Sequence, residues 1–204
     1  MGTYESGRIL KASSLTLEIV DAVVKLEGAR VSQVATHLDI SESAASHHLH
    51  TLRKSGFLTA GGDVDHPSLK FAKVGEHAKT RDPAYRHAVE STNTLDGNTN
   101  FETSFTVAEN GLGRYLRPEV DATTEVDKYF TVGERIYLHS TAAGKAILAT
   151  FPESRVNNIV ERWGLPELTD RTITSREDLD AELATVRDQG YALNRGEDQD
   201  GVYA

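Results

Sequence analysis

At 204 residues the chain is long enough to bury a sizeable core, and its length allows one large domain or two small ones; two are expected. The absence of cysteine excludes a disulfide framework and any thiolate-held zinc or iron–sulfur centre. A net charge of -9 argues against a nucleic-acid partner until its distribution is counted: residues 1–90 carry 11 basic and 11 acidic side chains, residues 91–204 carry 11 and 20. Seven of the eight histidines lie in the first part. No run approaches the roughly 20 apolar residues of a membrane helix, and MGTYESGRIL lacks the apolar centre of a signal peptide, so a soluble, cytoplasmic protein is expected. The acidic, cysteine-free composition, with more arginine than lysine, suits a salt-loving organism.

Leu15, Ile19, Val23 and Leu26 recur at helical spacing until GAR at 28–30 breaks the run, which predicts a first helix. Val31, Val34, Ala35 and Leu38 give the apolar face of a short second helix. Asp39 and Ile40 then form a tight connection. Ser41 is placed to cap a third helix, with Glu42 in its first turn, Ile40 stapling against Ala45, and Gly56 ending it. Beyond Gly56, FLT and LKFAKV read as two short strands flanking the turn-rich GGDVDHPS, a hairpin. Residues 80–100, broken by Pro83 and Gly97, read as a partly helical linker. FETSFTV and ERIYLH alternate like strands of an antiparallel sheet. Helices are predicted over residues 141–151, Glu153–Trp163 and 175–189; in the last, Ser175 and Asp178 approximate a capping box, Leu179, Leu183 and Val186 form the buried stripe, and Gly190 terminates. The expected fold class is α+β. A winged helix-turn-helix is expected over residues 1–79, a partly helical linker over 80–100, and an α+β domain over 101–204.

The third helix carries the most informative pattern. Ala45, Leu49 and Leu52 share one narrow apolar stripe, while Ser43, His47 and His50 fall on the opposite side with Ser46 at its border and His48 beside the stripe. A solvated helix face favours Glu, Lys and Arg, whereas Ser and His are mediocre helix formers, so helix stability did not select them. Short donors and acceptors let a helix approach the floor of the major groove, and two helices meeting across a tight turn make a helix-turn-helix. Ser43, Ser46, His47 and His50 are therefore the candidate base-contacting residues; Arg53, Lys54, Lys70 and Lys73 are the candidate phosphate contacts. Two blander readings stand beside this one: a three-helix core that packs only within its own domain, and a metal held by His47 and His50. The second lacks a third ligand on that face. No metal or cofactor is expected.

The stretch LHSTAAGKAILATFPE at residues 138–153 resembles a phosphate loop superficially. GxxxxGK[ST] needs glycine where His139 stands and Ser or Thr where Ala146 stands, so a nucleotide is not expected. Small residues at this helix start either permit close packing or leave amides for a small carboxylate. An enzyme using His139 and the many carboxylates is the competing class, but GxSxG, HExxH and CxxC are all absent. A third class is an interaction or ligand-binding module with a residual helix-turn-helix and weak DNA binding.

With these blocks in order, VSQVATHLDISESAASHHLHTLRKSGFL, then LHSTAAGKAILA, then LTDRTITSREDLDAELATVRDQGYALNRGEDQDGVYA, the chain resembles the IclR family of transcriptional regulators. The resemblance implies a DNA-binding homodimer or homotetramer, a repressor or dual regulator whose C-terminal domain binds a small metabolite, often an organic acid, and catalyses nothing. By position in that domain, it implies an effector pocket drawing on Ile136, Ala142, Ala143, Asn194, Val202 and Ala204. The neutral Asn194, where some relatives have an acid, favours an anionic or neutral ligand. The likeness departs at His47, where relatives often carry arginine, and is poor over residues 91–137. Relatives continue past Ala204 into further strands, so an incomplete pocket, weak effector binding and an unpaired sheet edge over residues 201–204 are expected.

Overall fold

A computed structural model describes residues 9–98, 103–116 and 132–204. The chain divides into two compact units, Met1–Arg81 and Asp82–Ala204.

In the first unit, α1 (Lys11–Lys25), α2 (Val31–Leu38) and α3 (Glu42–Lys54) close on one core. Ile19, Val23, Ala29, Val34, Ala45 and Leu49 are fully buried there, with Ala35, Leu52 and Leu58 nearly so. The break after α1 is dictated by Gly28 at φ +109, where a Cβ would sit 2.4 Å from the His66 ring. Asp39, in the left-handed region at φ 52, ends α2, and Ser41 Oγ accepts the Ala44 N–H at 3.2 Å to start α3, so only three residues separate the helices.

The wing is tighter than the sequence suggests. β1 (Leu58–Gly61) pairs antiparallel with β2 (Val64–Pro67) across the two-residue turn Gly62-Asp63. Ala29 and Asp65 exchange backbone hydrogen bonds of 2.9 and 3.0 Å, tying the wing to the segment before α2. The expected second strand, LKFAKV, is instead the start of α4 (Lys70–Thr80). The hairpin has already closed by Pro67. Ser68 then acts as a local cap: its hydroxyl donates to the Gly56 carbonyl at 2.6 Å and accepts the Lys70 N–H at 3.1 Å. Phe71 packs on Phe57, ring centroids 5.1 Å apart.

The second unit begins with α5 (Pro83–Asn98), so the segment read as a partly helical linker is one sixteen-residue helix over most of its length. Proline at its first position is helix-compatible. The sheet runs β3 (Thr106–Glu109), β4 (Leu112–Tyr115), β5 (Arg135–Ile136), all antiparallel. Asn110 and Gly111, both at positive φ, make the β3–β4 turn. Two expected strands are therefore corrected. FETSFTV contributes only from Thr106; Phe101 and Glu102 lie outside the described residues. ERIYLH contributes only Arg135 and Ile136; Ile136 pairs with Gly113, where a Cβ would meet its Cγ1 at 2.5 Å, and residues 138–140 turn before the next helix. That helix is α6 (Ala142–Ala149), succeeded by α7 (Glu153–Trp163) and α8 (Arg176–Gln189). α6 packs on α8 and β3 around Leu138, Leu148, Val156, Leu179 and Leu183. Ser175 caps α8 by accepting the Asp178 N–H at 3.1 Å, and Gly190 at φ 84 ends it.

Candidate nucleic-acid interface and sensor site

Helix α3 is two-sided in the structure. Ala45 and Leu49 have no exposure and Leu52 6%, while Ser43, His47 and His50 are exposed and Ser46 is half-buried. His48 turns inward to share a 2.8 Å hydrogen bond between its Nδ1 and Thr16 Oγ1, which fixes α3 against α1. Thr51 Oγ1 donates to the His47 carbonyl at 2.9 Å, and the His47 side chain is exposed.

The four basic residues are not equivalent. Lys54 and Lys73 are exposed and pair with no described residue. Lys70 Nζ donates to the Ser55 carbonyl at 2.7 Å and lies 4.1 Å over the Phe57 ring, so it caps the C-terminus of α3 and complements its dipole. Arg53 faces Asp65 of the wing at 3.6 Å. Lys70 and Lys73 stand on α4 rather than on a strand, which moves them from the wing edge to the helix beyond it. Sequence reasoning missed the acidic partners. Asp63 pairs with Arg30 before α2 and Asp65 with Arg53, contacts across 33 and 12 residues that no local pattern announces.

In the second unit the six candidate effector residues lie on three segments. Ile136 is buried at the end of β5. Ala142 and Ala143 are half-buried in the first turn of α6, behind Thr141, whose Oγ1 accepts the Gly144 N–H at 3.0 Å. Asn194 is buried, Val202 half-buried and Ala204 exposed. The structure joins Asn194 and Ala204 directly, through backbone hydrogen bonds of 2.6 and 3.1 Å, with Arg195 bridging Tyr203. The chain returns on itself, so that Ala204 pairs with Asn194 along one side. Asn194 is also engaged, its Oδ1 accepting the N–H groups of Gly196 and Glu197 at 3.1 and 2.9 Å. That turn brings two acids to the start of α6. Glu197 meets Lys145 Nζ at 2.7 Å, and Asp198 meets Ser140 Oγ at 2.7 Å. The neutrality of Asn194 therefore does not leave its surroundings free of carboxylates. Burial pushes the Asp198 carboxyl up to about 6. His139 is buried, its Nε2 against the Pro166 carbonyl at 3.1 Å, and burial holds its pKa below the usual imidazole range. A cleft of about 210 Å³ lies between α7 and α8, lined by Glu153, Val156, Arg176, Asp180, Leu183 and Arg187; none of the six effector candidates reaches it.

A three-helix module whose last helix offers a small polar outer face, joined to a two-stranded wing and, in a separate unit, an α+β domain, defines a DNA-binding regulator with a sensing domain. The model of the family described as bacterial transcriptional regulator IclR C-terminal matches residues 94–204, including the stretch from 94 to 137 where the motif likeness is poor. Residues 14–60 match the helix-turn-helix described as bacterial regulatory protein, arsR family. The chain belongs to the IclR family of transcriptional regulators. It is 30% identical over 190 residues to the probable HTH-type transcriptional regulator ArcR of Halobacterium salinarum, spanning 91% of this chain and 72% of that protein. The crystal structure of the Thermotoga maritima IclR superimposes with a TM-score of 0.69 at 25% identity, over 94% of this chain and 78% of that one. An IclR homologue from Microbacterium hydrocarbonoxydans, crystallised with 4-hydroxybenzoate, shares the fold at 17% identity and a TM-score of 0.69, over 92% and 80% of the two chains. The chain is a DNA-binding transcriptional regulator.

Proposed function

We propose that the chain acts in the cytoplasm on a double-stranded DNA operator, as a repressor or dual regulator, with α3 in the major groove. Ser43, Ser46, His47 and His50 meet base edges; Arg53, Lys54, Lys70 and Lys73 meet phosphates. The observation that carries this reading is the contrast along one helix between the buried Ala45, Leu49 and Leu52 and the exposed, short polar side chains opposite. It acts as a homodimer or homotetramer and catalyses no reaction. Leu17 and Val24 of α1, 67% and 56% exposed and seven residues apart, continue an apolar line from Leu10 at the helix N-cap, 68% exposed, a surface suited to the same helix of a second copy. Among the described residues no helix is long and apolar enough to cross a membrane.

The effector is a small organic acid, held by Ile136, Ala142, Ala143, Asn194, Val202 and Ala204. The same fold holds 4-hydroxybenzoate in the Microbacterium relative. Supporting this class here, the Ala142 and Ala143 amides open α6, where a helix N-terminus favours negative charge. The test is a mobility shift on the region upstream of its own gene, repeated with a panel of aromatic and aliphatic acids. A retarded band lost in the Ser46→Ala, His50→Ala double variant and altered by one acid is the expected result. Unchanged binding by that double variant refutes the base contacts, and indifference to every acid in calorimetry refutes the effector class.

A further inference from the structure

The wing presents two acids, and each faces an arginine from a different part of the helix-turn-helix. At Asp63 the pair with Arg30 is a surface contact, the two side chains 72% and 55% exposed. Asp65 is different. Its side chain is 3% exposed, held there because its backbone is bonded on one side to Ala29 and paired on the other with Ala60 of β1. Strand alternation then turns the carboxylate inward. Its Oδ1 is buried without a hydrogen-bond donor, and the nearest cation, Arg53 Nη1, stands 3.6 Å away. A seated guanidinium–carboxylate pair closes to about 2.7–2.9 Å. Here the anion is fixed and dehydrated, whereas the cation, 37% exposed, keeps one side in water. Buried carboxylates without donors are uncommon and call for a physical reason. His66, next along β2, adds a weaker attraction; burial outweighs both and pushes the Asp65 carboxyl above the ordinary range.

We propose that Asp65 is a positioning residue for DNA binding: it holds Arg53 against the wing in the free protein and yields it to a backbone phosphate when a duplex docks on α3. This rests on the reading that α3 enters the groove. A phosphate offers the guanidinium the two short charge-assisted hydrogen bonds that Asp65 does not make at 3.6 Å. Until then the buried carboxylate keeps the Arg53 side chain, itself on the recognition helix, turned to the wing. The same attraction opposes the transfer to phosphate, so Asp65 tempers the sequence-independent part of the affinity.

The experiment uses the full chain and a random-sequence duplex, with binding followed by fluorescence anisotropy across a potassium chloride series. Asp65→Asn, which preserves shape, tightens binding by about three- to tenfold and leaves the salt slope unchanged, because the number of phosphate contacts is the same. Arg53→Gln lowers that slope by roughly 1, and Asp65→Asn has no effect in the Arg53→Gln background. Asp63→Asn is the charge control and gives a clearly smaller change than Asp65→Asn. Without DNA, the carboxyl carbon of Asp65 followed by NMR titrates at higher pH in Arg53→Gln. An equal effect of Asp65→Asn in both backgrounds, equality with Asp63→Asn, or an Asp65 titration indifferent to Arg53 overturns the proposal. A shifted Asp65 titration combined with an unaltered salt slope in Arg53→Gln locates the failure in the DNA-docking reading instead.

Discussion

Ser140 Oγ lies 2.7 Å from Asp198 Oδ1 and 3.1 Å from the carbonyl oxygen of Tyr137, two acceptors for one hydroxyl proton. Both contacts become hydrogen bonds only when Asp198 is protonated: Asp198 then donates to Ser140, and Ser140 to Tyr137. Ionised Asp198 draws the Ser140 proton to itself. The pairing sits immediately before α6, so the protonation state of one acid bears on the helix start where the effector is proposed to bind.

Stability should therefore depend on pH through Asp198. Its folded pKa, about 6, lies above the ordinary carboxylate value of 3.8, so the native state binds this proton more tightly than the unfolded chain. The associated stabilisation is complete below about pH 4 and is lost as pH rises through about 6. Discounted for partial exposure, it amounts to about 1–2 kcal/mol. Asp198→Asn should be the more stable protein at pH 7.5 and equal to the parent at pH 4. Urea denaturation at both pH values, followed by Trp163 fluorescence, measures the difference.

Lys145 has no exposure and meets Glu197 at 2.7 Å and Glu182 at 2.9 Å. Removing the cation leaves the buried Glu197 carboxylate unpaired and the partly exposed Glu182 without its partner, so Lys145→Ala should cost about 3–5 kcal/mol. A Lys145→Met, Glu197→Gln double variant should recover part of that loss, which thermal denaturation reads directly.

Gly144 sits where a Cβ would lie 2.3 Å from the Leu138 carbonyl oxygen, a backbone atom that cannot yield cheaply. Gly144→Ala should destabilise the sensing unit by about 1–3 kcal/mol or more through overpacking. Gly75→Ala, in an α4 position with open space around it, should stabilise by up to about 1 kcal/mol through helix propensity. Denaturation midpoints of the two variants should move in opposite directions.

Lys54, exposed and pairing with no described residue, tests the phosphate contacts without disturbing the fold. Lys54→Ala should weaken binding to all duplexes alike and reduce the salt slope by roughly 1. A salt titration of anisotropy on random and upstream duplexes checks both the loss and its indifference to sequence.

Much of the candidate interface is legible in the amino-acid pattern alone. The sidedness of α3 arises from residues within thirteen positions of one another, and the caps at Ser41 and Ser175 from residues three apart. The β3–β4 turn is equally legible in principle, since Asn110-Gly111 is a strong hairpin signal. The second half of the wing is not, because LKFAKV satisfies both a strand and a helix pattern over so short a run. The structure makes it helical from Lys70, with Ser68 Oγ accepting the Lys70 N–H. The candidate effector residues are placed by resemblance, and no periodicity singles them out.

Hydrophobic period and capping are settled within a turn or two of the chain, which is why the helices of the DNA-binding unit, the outward face of α3 and the two-part organisation can be read from residue order. Long-range packing was needed to bury Asp65 opposite Arg53, to seat Lys70 at the end of α3, to pair Asn194 with Ala204, and to turn Asp198 toward Ser140. These contacts join residues 10 to 58 positions apart, and each depends on where a strand or turn is pinned by backbone hydrogen bonds. A side chain's charge and size are written at its position; its burial and its partner are set by whatever distant segment closes over it.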